Sequence, residues 1–103
     1  MDIDLQRKGD SVKVVIDGNI DTDGGHRLGV SLQEVMEMAG VKTVVFDLST
    51  VRTITSSGIG KIMNFFKFID GKKGSMSVQG ISDQLYKQFL EIHLDRIFSI
   101  TKA

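Results

Sequence analysis

The chain of 103 residues contains no cysteine, no proline and no tryptophan. The lack of cysteine excludes disulfides, thiolate metal sites and thiol nucleophiles. No repeat, low-complexity tract or proline-rich stretch marks a linker between domains. We therefore predict a single domain over residues 1–103.

The chain also lacks an excess of charge of either sign, because 13 Lys and Arg balance 13 Asp and Glu. A nucleic-acid-binding domain usually carries a basic excess, so we predict no nucleic-acid partner. No apolar run reaches the roughly 20 residues that span a membrane. The first residues, Met1 to Asp4, do not resemble a signal peptide. These absences predict a soluble cytoplasmic domain without membrane insertion.

Strand patterns occur in four places. Residues 3–7 alternate apolar and polar side chains and are predicted to form a hairpin with the β-branched run at residues 11–17. Residues 41–48 are more continuously apolar, which predicts a central strand covered on both faces. Residues 75–79 are a weaker fourth candidate.

Three apolar stripes at helical spacing lie between and after these strands. The first is predicted to end at Gly40, the second near Gly71, and the third to begin after Ser82 as N-cap. Alternating strands and helices indicate an α/β layered domain. The stripes are Leu28, Leu32, Val35, Met36 and Ala39; Ile59, Ile62, Met63, Phe66 and Ile69; and Leu85, Phe89 and Ile92.

The segment from Asp47 to Gly60 is the most informative part of the sequence. It indicates the end of a buried strand, a polar loop, and a helix that begins near Ser56 and Ser57. Hydroxyls at a helix start lie beside unpaired N–H groups and the positive end of the helix dipole. Such a position suits a phosphate, but it equally suits serines that only cap the helix.

Known catalytic and metal motifs do not fit this chain. A P-loop needs a glycine where Thr55 stands and a Ser or Thr where Ile62 stands. Neither serine has the Gly-x-Ser-x-Gly context of a hydrolase. The Asn19–Gly24 run resembles part of a calcium loop, but Val30 occupies the position of the bidentate glutamate. We predict no catalytic residue, no metal and no cofactor.

A regulatory interpretation remains open beside simple capping. Phosphorylation of Ser56 or Ser57 would add nearly two negative charges at a helix N-terminus, where Lys61 could screen them. A partner covering this loop would then face a desolvated anion. On the second helix we predict that Phe68 projects away from the core, near Lys61, with Phe65 on the flank; both are candidate partner contacts or simple packing residues.

Four stretches resemble the STAS domain of anti-sigma factor antagonists: Gly18–Asp21, Val44–Ser49, Thr55–Gly60 and Leu94–Phe98. The likeness extends over nearly the whole chain in the right order. It implies a mixed sheet of four to five strands flanked by helices. The Asp-Leu-Ser strand end followed by Ser-Ser-Gly-Ile-Gly is its most specific part.

The resemblance implies a partner-switching function for this chain. Such antagonists bind an anti-sigma factor that is also a serine kinase of the histidine-kinase-like ATPase type. The kinase phosphorylates a serine before the second helix, and a serine phosphatase reverses the modification. By position in the motif the acceptor is Ser56, with Ser57 and Thr55 as alternates. The predicted partner-binding residues are Asp21, Thr55, Ser56, Ser57, Gly58, Lys61, Phe65 and Phe68.

One position departs from the family pattern. An aspartate usually precedes the acceptor serine, and Thr55 stands there instead. This change removes a negative charge and adds a second hydroxyl. Family members that act without phosphorylation also exist, in transporter tails and lipid-trafficking complexes. The alternative prediction is therefore a scaffold that acts through constitutive protein contacts.

Overall fold

A computed structural model describes residues 1–102 of the chain. These residues form five strands, three helices and a short 3-10 turn. In chain order the elements are β1 (Asp2–Lys8), β2 (Ser11–Asp17), α1 (Thr22–Glu37), β3 (Thr43–Asp47), α2 (Ser56–Gly71), β4 (Ser75–Ile81), α3 (Asp83–Glu91), the 3-10 turn (Leu94–Arg96) and β5 (Ser99–Lys102).

The strands form one sheet in the order β1-β2-β3-β4-β5. The hairpin of β1 and β2 is antiparallel, and it closes at Gly9, whose φ of 62° suits a tight hairpin turn. The other strand pairs are parallel, and the register of β4 with β5 has one irregularity between Val78 and Ile81. The predicted α/β fold with a mixed sheet is confirmed. The β5 strand, which had no separate sequence signal, completes the sheet.

Strand β3 is central, as predicted, but the prediction that both its faces are covered is wrong. Val44 and Phe46 are fully buried, whereas Thr43, Val45 and Asp47 are only half-buried. Strands β2 and β4 show the same alternation. The helices pack on one face of the sheet, and the other face is polar enough to remain open to solvent.

The core lies between the sheet and the helices. Phe46 of β3 meets Phe65 of α2 edge to face, with ring centroids 5.9 Å apart. Leu28 and Leu32 of α1 and Phe89 of α3 are also fully buried in this core. Within residues 1–102, every helix is too short or too polar to cross a bilayer.

Helix α1 begins earlier than its apolar stripe indicates. Asp21 is its N-cap, and the Asp21 carboxylate accepts a 2.7 Å hydrogen bond from the Gly24 N–H. Gly24 and Gly25 therefore lie inside the first turns of the helix, and His26 is an exposed helical residue rather than a loop residue. The predicted cap of α3 is confirmed, since the Ser82 hydroxyl accepts from the Leu85 N–H.

Candidate functional site

The loop between β3 and α2, residues 48–55, lies at the carboxyl edge of the parallel strands beside the loop between β2 and α1. Ile20 and Ile54 join the two loops as a parallel bridge. The Ile20 N–H donates to the Thr53 carbonyl and the Thr55 N–H donates to the Ile20 carbonyl, both at 3.0 Å. Each loop therefore fixes the position of the other.

Side chains add to this attachment. The Asn19 amide oxygen accepts from the N–H groups of Arg52 and Thr53, at 2.9 and 3.3 Å. The Thr50 hydroxyl accepts from the Gly18 N–H and donates to the Ile16 carbonyl. The calcium-like Asn19–Gly24 run thus serves the loop and the cap of α1.

Helix α3 holds the other side of the same loop. The Ser82 hydroxyl donates to the Val51 carbonyl at 3.1 Å, and the Gln88 amide donates to the Ile54 carbonyl at 3.1 Å. Val51 and Ile54 are also buried. The loop is therefore tied on both flanks, and the start of α2 has a defined position.

The N-cap of α2 is Thr55, so the alternative in which the serines only cap the helix is wrong. The Thr55 hydroxyl accepts from the Gly58 N–H at 3.2 Å. Ser56 and Ser57 are the first two residues of the helix, and both are exposed. Thr55 is half-buried and its hydroxyl is engaged in the cap.

Two glycines allow α1 and the start of α2 to approach closely. A Cβ on Gly58 would lie 2.8 Å from Ile54 Cγ1 and 2.9 Å from Ile20 Cγ2. A Cβ on Gly25 would lie 3.4 Å from the Gly58 nitrogen. Gly58 is buried, so it acts through backbone space rather than as an exposed contact.

The two serines differ in what surrounds them. Ser57 Oγ lies 3.7 Å from the point that a Cβ on Gly25 would occupy, so Ser57 faces α1. Ser56 is about 180° around the helix from the buried Phe65 and faces outward. Lys61 follows Ser57 by one turn, and its Cδ and Cε lie 3.1 Å from a Cβ position on Gly29. Around the helix axis, Lys61 lies about 140° from Ser56. Lys61 could therefore screen a phosphate on Ser57 better than a phosphate on Ser56.

The two phenylalanines lie at different depths. Phe65 is fully buried against Phe46, so its predicted position on the flank is wrong and its side chain is closed to a partner. Phe68 is 39% exposed, as predicted, and Lys72 Nζ lies 5.4 Å from its ring centroid. Phe68 is about 18 Å along α2 from Ser56.

A shallow groove between α1 and α2 was not predicted. It has a volume of about 560 Å³ and adjoins the start of α2. Gly29 lines it, and a Cβ at that position would come within 3.1 Å of Lys61, so no local sequence pattern signals the groove. Its polar lining includes His26, Gln33, Glu37, Lys61 and Asn64.

Comparisons with known proteins identify the fold and the family. A model of the STAS domain matches residues 2–103. A putative anti-sigma factor antagonist from Thermotoga maritima superposes with a TM-score of 0.88 at 20% identity, covering 98% of this chain and 86% of that chain. The anti-sigma factor antagonist SpoIIAA, in its unphosphorylated form, gives 0.71 at 17% identity, covering 93% and 97%. The phosphorylated form of SpoIIAA from Bacillus gives 0.78 at 14% identity, covering 99% and 92%.

A sulfate transporter family protein from Wolinella succinogenes has the same fold, with a TM-score of 0.75 at 17% identity over 89% of this chain and 76% of that chain. At such identities the solved structures establish a common fold, while the family match covers nearly every residue. The chain therefore belongs to the STAS domain family.

Proposed function

We propose that this STAS domain is an anti-sigma factor antagonist controlled by phosphorylation of Ser56. The unmodified domain binds an anti-sigma factor that is a serine kinase of the histidine-kinase-like ATPase type. Phosphorylation releases this partner, and a serine phosphatase restores binding. The domain itself is a binding module without catalytic activity. The observation that carries the proposal is an exposed Ser56 hydroxyl on the first residue of α2, beside a cap that Thr55 already provides.

Ser56 is the favoured acceptor among the three hydroxyls. The Thr55 hydroxyl accepts the cap hydrogen bond, so its modification would disrupt the helix start. Ser57 faces α1 across Gly25, where an approaching kinase has less space. Ser56 faces outward at the end of a loop that Ser82 and Gln88 hold in place.

The proposed partner surface surrounds Ser56. It includes Asp21 at the start of α1 and Ser57 and Lys61 on the face of α2 toward α1, while Thr55 and Gly58 shape the backbone between them. Phe65 does not take part because it is buried. Phe68 is not needed by a partner that covers only the start of α2.

The effect of phosphate would be electrostatic rather than conformational. A phosphate adds about −1.5 to −2 charge, and an anion at a helix N-terminus is favourable for the helix itself. In a complex the same charge would be desolvated and, with Lys61 turned toward Gly29, uncompensated by this chain. The domain keeps its fold and loses its partner.

The test is incubation of the chain with its kinase and ATP, followed by mapping of modified residues by mass spectrometry. Modification of Ser56 is expected, with loss of kinase binding by Ser56→Asp. Ser56→Ala is the matched control and should bind like wild type. An unmodified 55–57 segment would overturn the phosphoswitch, and full binding by Ser56→Asp would overturn the charge mechanism.

The second candidate is a STAS scaffold that acts through constitutive contacts. Two observations favour it: the neutral Thr55 at the cap and the shared fold with a sulfate transporter family protein. In that case a partner would bind wild type and Ser56→Asp with equal affinity. The same pair of proteins therefore separates the two candidates.

A further inference from the structure

The zero net charge of the chain conceals a separation of charge between the two edges of the sheet. Ser11 pairs with Thr43 and Thr43 with Ser75, so the amino ends of β2, β3 and β4 meet at one edge. The turn before β5, residues 92–98, also lies here and carries one charge of each sign, Asp95 and Arg96. The other turns at this edge, residues 7–10, 39–42 and 70–74, carry five cations and two aspartates. We call these cations the basic edge: Arg7, Lys8, Lys42, Lys72 and Lys73, all exposed.

Hydrogen bonds hold the three turns together. The Lys42 N–H donates to the Asp10 carbonyl and the Ser75 N–H donates to the Lys42 carbonyl, both at 2.8 Å. The Arg7 guanidinium donates to the carbonyls of Gly9 and Ala39. Because adjacent strands lie about 4.8 Å apart, the basic edge is a strip about 15 Å long on fixed backbone.

The opposite edge carries the reverse charge. Six aspartates, Asp2 and those in segments 17–23, 47–55 and 79–83, lie here against two cations, Arg52 and Lys102, and Lys102 pairs with Asp83 at 3.2 Å. This edge also holds the loop between β3 and α2. An anionic surface would therefore attract one edge of the molecule and repel the other, which orients the domain.

We propose that the basic edge binds an anionic lipid surface. Clusters of four to eight Lys and Arg in juxtamembrane segments or on amphipathic helices attract anionic lipids, and the basic edge presents five such cations on adjoining turns. Four of the five cations are lysines, which act as point charges suited to mobile headgroups. The Arg7 guanidinium is already bonded to two carbonyls and is not free for a bidentate contact with a base.

The exposed side chain of Phe68 is evidence that the basic edge binds lipid rather than nucleic acid. Its ring is 39% exposed in the last turns of α2, with Lys72 Nζ 5.4 Å away. An aromatic ring beside cations can enter the interfacial region of a bilayer. The basic edge consists of turns, so it offers neither a helix nor a ribbon to a DNA groove.

Binding in this orientation leaves Ser56 accessible. Ser56 begins α2 at one edge of the sheet, and the residues after α2 belong to the basic edge. A helix of 16 residues spans about 24 Å, so a domain on a membrane would present Ser56 to the solvent. The lipid proposal stands independently of the proposed phosphoswitch.

The test is sedimentation of the full chain with phosphatidylcholine vesicles that contain about 30 mol% phosphatidylserine, at about 0.1 M salt. The triple variant Lys8→Glu/Lys42→Glu/Lys72→Glu is expected to bind at least about 100-fold more weakly. Phe68→Ala should weaken binding a few-fold, and Phe68→Trp should retain it.

The matched control is Arg27→Glu/Arg52→Glu/Lys87→Glu, which changes the net charge equally at exposed positions away from the basic edge. It is expected to bind the anionic vesicles within a few-fold of wild type. Equal losses in both triple variants would overturn the proposal, as would an absence of wild-type binding. Tighter binding to duplex DNA than to the vesicles at the same salt would also overturn it. Circular dichroism melts of all variants separate lost binding from lost folding.

Discussion

At the scale of single residues, Thr55 caps α2 at the position where the family resemblance implies an aspartate. Thr55 can keep the capping hydrogen bond of an aspartate, but it carries no charge. Threonine and aspartate both accept from the third N–H of a helix, so the cap survives the exchange. Only the electrostatic part is lost. The effect of this position on recognition by the proposed kinase can therefore be tested without disturbing the helix start.

Thr55→Ala removes the cap and should lower the free energy of unfolding by about 1 kcal/mol. Thr55→Asp keeps the cap and adds a favourable charge at the helix dipole, so it should be as stable as wild type or up to about 1 kcal/mol more stable. Urea unfolding followed by circular dichroism measures both. Equal stability of Thr55→Ala and wild type would contradict the assignment of Thr55 as the cap.

Gly58 and Gly60 both lie in α2, and their replacement by alanine is expected to have opposite effects on stability. A Cβ on Gly58 would clash with Ile54 and Ile20, whereas a Cβ on Gly60 would meet nothing within 4 Å. Gly58→Ala should destabilise the domain by about 1–3 kcal/mol through overpacking. Gly60→Ala should stabilise it by about 0.5–1 kcal/mol through helix propensity. Thermal denaturation of the two variants would show shifts of opposite sign.

At the scale of elements, α3 acts as an anchor for the loop before α2. Gln88→Ala would leave the Ile54 carbonyl without its donor. We expect a loss of about 1 kcal/mol in stability and faster amide exchange at Ile20 and Thr55, whose N–H groups join the two loops. Gln84→Ala, an exposed position on the same helix, is the control. Unchanged exchange at both amides would mean that α3 does not hold the loop.

Helices with a clear apolar stripe and a clear cap or stop residue could be located from the sequence. The apolar stripe and Gly71 locate α2, and Ser82 begins α3 as expected. The start of α1 was missed because Gly24 and Gly25 resemble a loop, while their helical state depends on Asp21 and on close contact with α2.

The candidate site was predictable in its location but not in its internal roles. A family motif points to Ser56, but the capping role of Thr55 depends on the register of one turn. The contacts of Asn19 and Gln88 join residues more than 30 positions apart, which no local pattern reveals. Phe65 was misplaced because three phenylalanines within four positions make the core face of α2 ambiguous.

At the scale of the whole molecule, the proposed switch changes charge without changing shape. Ser56→Asp should therefore unfold at the same temperature as wild type or slightly higher, because the added anion lies at a helix N-terminus. Its solution scattering profile should superpose on that of wild type. A lower melting temperature together with lost kinase binding would indicate damage to the fold instead of a charge effect.

Because one face of the sheet is uncovered, successive residues of a strand differ in how many substitutions they should tolerate. In β3, Val44 and Phe46 belong to the single apolar layer, while Thr43 and Val45 between them border solvent. A saturation library of the strand should show an alternating profile of tolerance with a period of two residues. New surface chemistry could therefore evolve, or be engineered, on this face while the layer beneath Ser56 stays constant.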